Sequence, residues 1–245
     1  MIKNSFIFLD GISERRERIL WSQGILSWDD FLNSKKISGI SMFTKSYYDR
    51  KIILAKYNLI EQNSTYFTDK LPSTGAWRLY PSFKEKTVFL DLEAGKQKHI
   101  DIITLYDGVH TKSFIRNYNL DVCLIKSALS EFKLIVTFNG GSFDFPIFKR
   151  KFGNIIPSIP HIDVRFLCER LGLTGGLKKI ERKLMLERKT TFLNRNKSLK
   201  NLIDYNSSDV KNLKPILDYC VEVLMGKYQK FFNNAPSFLN NEFQK

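Results

Sequence analysis

Three short stretches of this chain put acids where packing alone would not place them. Asp91 and Glu93 stand two apart at the end of the run Thr87-Val88-Phe89-Leu90-Asp91-Leu92-Glu93. The alternation of a strand puts both side chains on one face, and burying an unpaired carboxylate costs several kcal/mol. Asp144 follows a second apolar run, residues 134–138, through Asn139-Gly140-Gly141-Ser142-Phe143. The paired glycines there permit positive φ and a close backbone approach. Tyr205 and Asp209 are four apart and share a face if helical, and Leu213 and Leu217 continue the spacing. Each stretch alone has a plainer reading: a strand running out into solvent, an N-cap at Ser142 or Asp144, the start of an amphipathic helix. Together they supply four carboxylates from three elements, in an order that can converge at one sheet edge. They are oxygen donors of the kind hard cations take.

The elements that must position these groups can be read from pattern. Residues 87–93, 100–106, 111–115 and 134–138 read as strands, with Asp107-Gly108 as a hairpin-type turn. Helices are expected at 122–132, 143–152, 163–171, 175–185 and 207–225. Three strands followed by helix, strand and helices indicate α/β with a mixed sheet. Ahead of them, residues 1–82 read as mainly helical. Ser13 and Ser27 are N-cap candidates, Gly24 is a stop, and Tyr48, Ile52, Ala55 and Leu59 form one stripe. The expected division is a helical segment 1–82, an α/β domain 83–225 and a tail 226–245 without clear periodicity.

Composition sets the outer limits. The 245 residues carry 39 Lys plus Arg against 25 Asp plus Glu, a net charge of +14. At 43% hydrophobic and 26% charged the chain has ordinary globular composition. No apolar run approaches the ~20 residues needed to span a bilayer. Cys123, Cys168 and Cys220 show no paired spacing, so neither a disulfide framework nor a zinc site is indicated, and a cytoplasmic, reducing setting is expected. The basic excess points to polyanions, most simply nucleic acid. Residues 178–200 hold nine basic and two acidic side chains, which suits a solvated helix face and basic loop or a phosphate-tracking surface.

Asp91-x-Glu93, Asn139-x-x-x-Phe143-Asp144-x-Pro146 and Tyr205-x-x-x-Asp209 resemble the three exonuclease motifs of the DEDD superfamily, Tyr subtype. The middle motif is similar to that of proofreading domains in family B DNA polymerases. A smaller branch of the ribonuclease H-like superfamily, of predicted 3′–5′ exonucleases, resembles more of the chain, roughly residues 86–220. It takes in Leu105-Tyr106-Asp107-Gly108, Val136-Thr137-Phe138-Asn139-Gly140, Pro160-His161-Ile162-Asp163-Val164-Arg165, Gly175-Gly176-Leu177-Lys178-Lys179-Ile180-Glu181 and Tyr205-Asn206.

The resemblance implies a ribonuclease H-like mixed five-stranded sheet flanked by helices and a metal-dependent 3′–5′ exonuclease acting on DNA or RNA. It implies two Mg²⁺ or Mn²⁺ ions held by Asp91, Glu93, Asp144 and Asp209, with Asp91 bridging. Tyr205 would orient the attacking water. Leu92, Asn139 and Phe143 would face the terminal nucleotide, and Lys178, Lys179 and Arg182 its phosphates. A non-catalytic nucleic-acid-binding or scaffold protein of the same fold, or a structure-selective endonuclease, are the competing expectations. Asp163 reads as an N-cap or a functional acid. The front segment Leu9-Asp10-Gly11-Ile12-Ser13 through Gly24-Ile25-x-Ser27-Trp28-x-Asp30-Phe31-Leu32 looks like a helix-hairpin-helix-type unit or, equally, a docking module that packs on the nuclease, with Trp21, Trp28 and Phe31 as its core.

Overall fold

A computed structural model describes residues 1–95, 99–188 and 198–233. Two compact units emerge among the described residues: 1–82 together with 221–233, and 83–220.

In the first unit, serines open three helices, each hydroxyl accepting a backbone N–H of the first turn. Ser13 caps α1 (Glu14–Ser22), Ser27 caps α2 (Trp28–Asn33) and Ser41 caps α3 (Met42–Ile60). Trp21, Trp28 and Phe31 are all buried, as is the α3 stripe of Tyr48, Ile52, Ala55 and Leu59. The Trp28 indole N–H donates to the Ser5 carbonyl at 2.7 Å. Within the same core, Arg78 pairs with Glu17 at 2.9 Å and donates to the Tyr228 hydroxyl at 3.0 Å.

After α4 (Tyr80–Phe83), the second unit runs β1 (Thr87–Ala94), β2 (Ile100–Tyr106), β3 (Thr111–Ile115), α5 (Val122–Ser130), β4 (Leu134–Thr137), α6 (Asp144–Phe152), β5 (His161–Asp163), α7 (Val164–Arg170), α8 (Leu177–Lys183) and the first part of α9 (Leu199–Asn233), whose residues from Val221 belong to the first unit. The five strands form one mixed sheet in the order β3-β2-β1-β4-β5. β1 pairs antiparallel with β2 and parallel with β4, and β4 pairs parallel with β5. This is the expected α/β architecture, including the fifth strand. Val88, Leu90 and Leu92 join one core cluster with Ile103, Leu105 and Ile135. The alternation therefore leaves Asp91 and Glu93 together on the opposite face of β1.

The last helix departs from expectation. It begins at Leu199 and runs to Asn233 through Pro215, well beyond 207–225. Aromatic anchors explain the extension. Tyr228 lies against Trp21 and Trp77, with ring centroids 5.3 and 5.8 Å away, and Phe232 lies 5.2 Å from Trp21. The rest of the expected tail, 234–245, lies outside the described residues, as does 189–197 of the basic stretch. Among the described residues no helix is long and apolar enough to cross a membrane.

Candidate active site

β1 delivers Asp91 and Glu93 beside a β-bulge between Glu93 and Ala94, where the antiparallel register with β2 slips. β4 ends at Thr137 instead of 138, because Asn139 turns into the left-handed region at φ 64°. Gly140 follows, and a Cβ there would lie 2.1 Å from Thr137 Oγ1. Only glycine fits. The Thr137 hydroxyl accepts the Gly140 N–H at 3.0 Å and shares a 2.8 Å bond with His161 Nε2. Asp163 Oδ1 accepts the N–H of Asn139 at 2.7 Å and that of Arg165 at 3.1 Å. Asp163 is thus both the N-cap of α7 and the fastener of the turn that leads to α6. That turn puts Phe143 at the N-cap of α6 and Asp144 in its first turn. α9 carries Tyr205 and Asp209 one turn apart.

These elements converge. Asp91, Glu93 and Asp209 each offer a carboxylate oxygen, all within 4.8 Å of one another. Asp144 joins them in lining one cavity of about 610 Å³, with Leu92, Asn139, Phe143, Arg165, Gly175, Gly176 and Lys178 around it. Phe143 is 48% exposed, while Leu92 and Tyr205 are buried. Lys179 and Arg182 are exposed on α8 and do not line the cavity. Lys178 bonds Asp209 directly, and its ammonium sits 4.4 Å from the centroid of the Tyr205 ring. Tyr205 is not among the cavity-lining residues.

Three polar residues outside the cavity lining bear on its acids, and none was assigned a role from the sequence. Asn206 donates through Nδ2 to Asp91 Oδ2, joining α9 to β1. Arg188 reaches Asp209 Oδ1 at 2.5 Å. Glu181, almost fully buried, holds Arg188 through both of its oxygens at 2.7 Å. Asn206 and Glu181 were legible only as members of stretches that carry the family resemblance, and Arg188 only as a member of a charge run.

Electrostatics follow from the crowding. Burial, then the charges of Asp209, Asp144 and Glu93, hold the Asp91 carboxyl well above the usual carboxylate range. Burial pushes Asp144 up to about 7, against backbone N–H bonds from Leu92 and from Asp144 itself. Asp209 is also raised by burial, with Lys178 and Arg188 pulling the other way. Buried Asp144 Oδ1 has no hydrogen-bond partner among the described residues. The close oxygens of Asp91, Glu93 and Asp209, with the donor-less oxygen of Asp144 in the same cavity, suit a hard divalent cation: every donor is oxygen, and the cation removes the repulsion.

Residues 88–221 match a family model described as RNase_H superfamily. The crystal structure of Escherichia coli RNase D, described as an exoribonuclease involved in structured RNA processing, aligns with a TM-score of 0.44 and 20% identity. The alignment covers 66% of this chain and 45% of that one, so the chain spans under half the length of that protein. No curated protein matches.

Proposed function

This chain belongs to the RNase H superfamily, and we propose on that premise that it is a metal-dependent 3′–5′ exonuclease hydrolysing phosphodiester bonds of DNA or RNA. The observation that carries this reading is the meeting of Asp91, Glu93 and Asp209 within 4.8 Å, with Asp144 in the same cavity. We place it in the Tyr subtype of the DEDD group, with a middle motif like that of polymerase proofreading domains, and in a reducing, cytoplasmic setting.

Two Mg²⁺ or Mn²⁺ ions held there would supply an activated water and neutralise charge on the phosphate. Asp91 would serve both ions, Glu93 and Asp209 one, and Asp144 the other. Asn206 orients Asp91 through its amide. Phe143, half exposed at the cavity mouth, offers a face on which the 3′-terminal base can stack, with Leu92 and Asn139 beside it. Tyr205, one turn before Asp209 but buried behind the cavity lining, would orient the attacking water through its hydroxyl, and Lys178 would contact phosphate once it leaves Asp209. Lys179 and Arg182 act further out, on the strand beyond the cavity.

The experiment is digestion of a 5′-labelled oligonucleotide with Mg²⁺ or Mn²⁺. Stepwise shortening that stops in EDTA is expected, with circular substrates left intact; cutting of circles would point to the endonuclease. One observation favours a second reading, a non-catalytic binding protein: Asp209 is already matched by Lys178 and Arg188. No hydrolysis of DNA or RNA, single- or double-stranded, with either metal would establish that reading instead.

A further inference from the structure

Glu181 is 1% exposed on α8, and nothing in the reaction outlined above uses it. A carboxylate so deeply buried needs a matched partner, and Arg188 supplies it: Nη1 donates to Oε1 and to Oε2, each at 2.7 Å. Asn212 Nδ2 adds a bond to Oε1 at 3.0 Å. One end of the guanidinium is therefore fixed. The other end, Nη2, donates to Asp209 Oδ1 at 2.5 Å, and the guanidinium carbon lies 4.8 Å from the centroid of the Tyr205 ring. Lys178 takes the same oxygen of Asp209.

Glu181, Asp209, Arg188 and Lys178 sum to zero charge. A divalent cation taken up by Asp209 leaves this group positive, and a phosphate arriving with the cation restores the balance. Lys178 is on a flexible stem, whereas Arg188 is anchored at Nη1, so that only its Nη2 has to change partner when charge develops. We infer that Arg188 is a catalytic residue that turns Nη2 from Asp209 to a non-bridging oxygen of the scissile phosphate, with Glu181 as its positioning residue. This rests on the nuclease reading proposed above.

The test compares wild type with Arg188→Ala, Arg188→Lys and Glu181→Gln by single-turnover hydrolysis, and by Mn²⁺ titration calorimetry without nucleic acid. Arg188→Ala should slow hydrolysis about 100-fold, the scale for losing one preorganised donor. Its Mn²⁺ affinity should stay the same or tighten, since a cation beside the ligand is gone. Glu181→Gln should slow hydrolysis about 10-fold with Mn²⁺ affinity kept, and Arg188→Lys should recover part of the alanine loss. If Arg188→Ala loses its cooperative thermal transition, the glutamine and lysine variants carry the comparison. Weaker Mn²⁺ binding in these variants would make Arg188 a brace for Asp209 and overturn the inference, as would unchanged rates. A wild type that neither binds Mn²⁺ nor hydrolyses nucleic acid would sink the nuclease reading itself, whereas an active wild type with equally active variants sinks only this inference.

Discussion

The Asp163 carboxylate accepts the backbone N–H of Asn139 at 2.7 Å, tying the end of β4 to the start of α7. The bond fixes Asn139 at φ 64°, a conformation that non-glycine residues seldom hold unaided. The chain can then double back within four residues and present Phe143 and Asp144 to the cavity. Asp163, which reads in the sequence as either a cap or a functional acid, is a cap with a second duty.

Replacing Asp163 by alanine should cost about 2–3 kcal/mol of stability, since it removes a cap and strips the Asn139 N–H of its partner. Asp163→Asn, which keeps an acceptor oxygen, should cost less. Urea unfolding of both variants checks this. Equal losses would mean that charge, and not the accepted bond, holds the turn.

Asp91→Asn should abolish hydrolysis while making the metal-free protein more stable at pH 8 by about 1 kcal/mol or more, the value of one unit of pKa displacement. Burial and three neighbouring acids disfavour its charge, so an uncharged isostere relieves the fold. Thermal melts in EDTA beside single-turnover rates give both readings. A destabilised Asp91→Asn would show that the bond from Asn206 outweighs the repulsion.

The raised carboxyl of Asp144 sets a pH dependence. Its folded value of about 7 lies above the unfolded 3.8, so the folded state holds the extra proton between them. Stability from this group is full below about 4 and is lost as pH rises through about 7. His161 works the other way: burial lowers it from 6.5 to about 4, so its share is full above 6.5 and is lost as pH falls. Asp144→Asn should therefore show, against wild type in EDTA, a relative gain in thermal midpoint that grows from pH 4 to pH 8. Mn²⁺ should raise the wild-type midpoint more at pH 8 than at pH 5.5. A difference between the two proteins that stays flat with pH would refute the assignment.

Lys179 and Arg182 are exposed on α8 outside the cavity, so they suit contact with phosphates away from the reacting one. Lys179→Ala with Arg182→Ala should lower the slope of log affinity against log salt by up to about two units, one per contact. The single-turnover rate at saturating protein should hold. Anisotropy titrations of a labelled oligonucleotide at several salt concentrations decide it; an unchanged slope would return these side chains to ordinary surface.

Where apolar periodicity was long, the sequence located the elements closely: β2 and β3 begin and end where the alternation does, and the serine caps of α1 and α2 mark their starts. β5 is only three residues, too short for any period, and it entered the expectation only through a family resemblance. The carboxylates could be found because acids at the ends of apolar runs contradict packing. Asn206, Glu181 and Arg188 could not, since an amide beside a tyrosine or a charge within a charged run contradicts nothing. Their roles arise from pairings across distant chain positions. Lys178 shows the same limit from the other side: charge counting marked it as a surface cation, whereas the fold folds it back onto Asp209. The reach of α9 to Asn233 was equally hidden, because its cause is a set of rings in another part of the chain.

The acids of the site come from β1, the start of α6 and α9, in that order along the chain. The set is therefore completed only by the last of these elements: a chain shortened before Leu199 would keep Asp91, Glu93 and Asp144 but lack Tyr205, Asn206 and Asp209, and on the reading proposed above it would hold too few oxygen donors to be active.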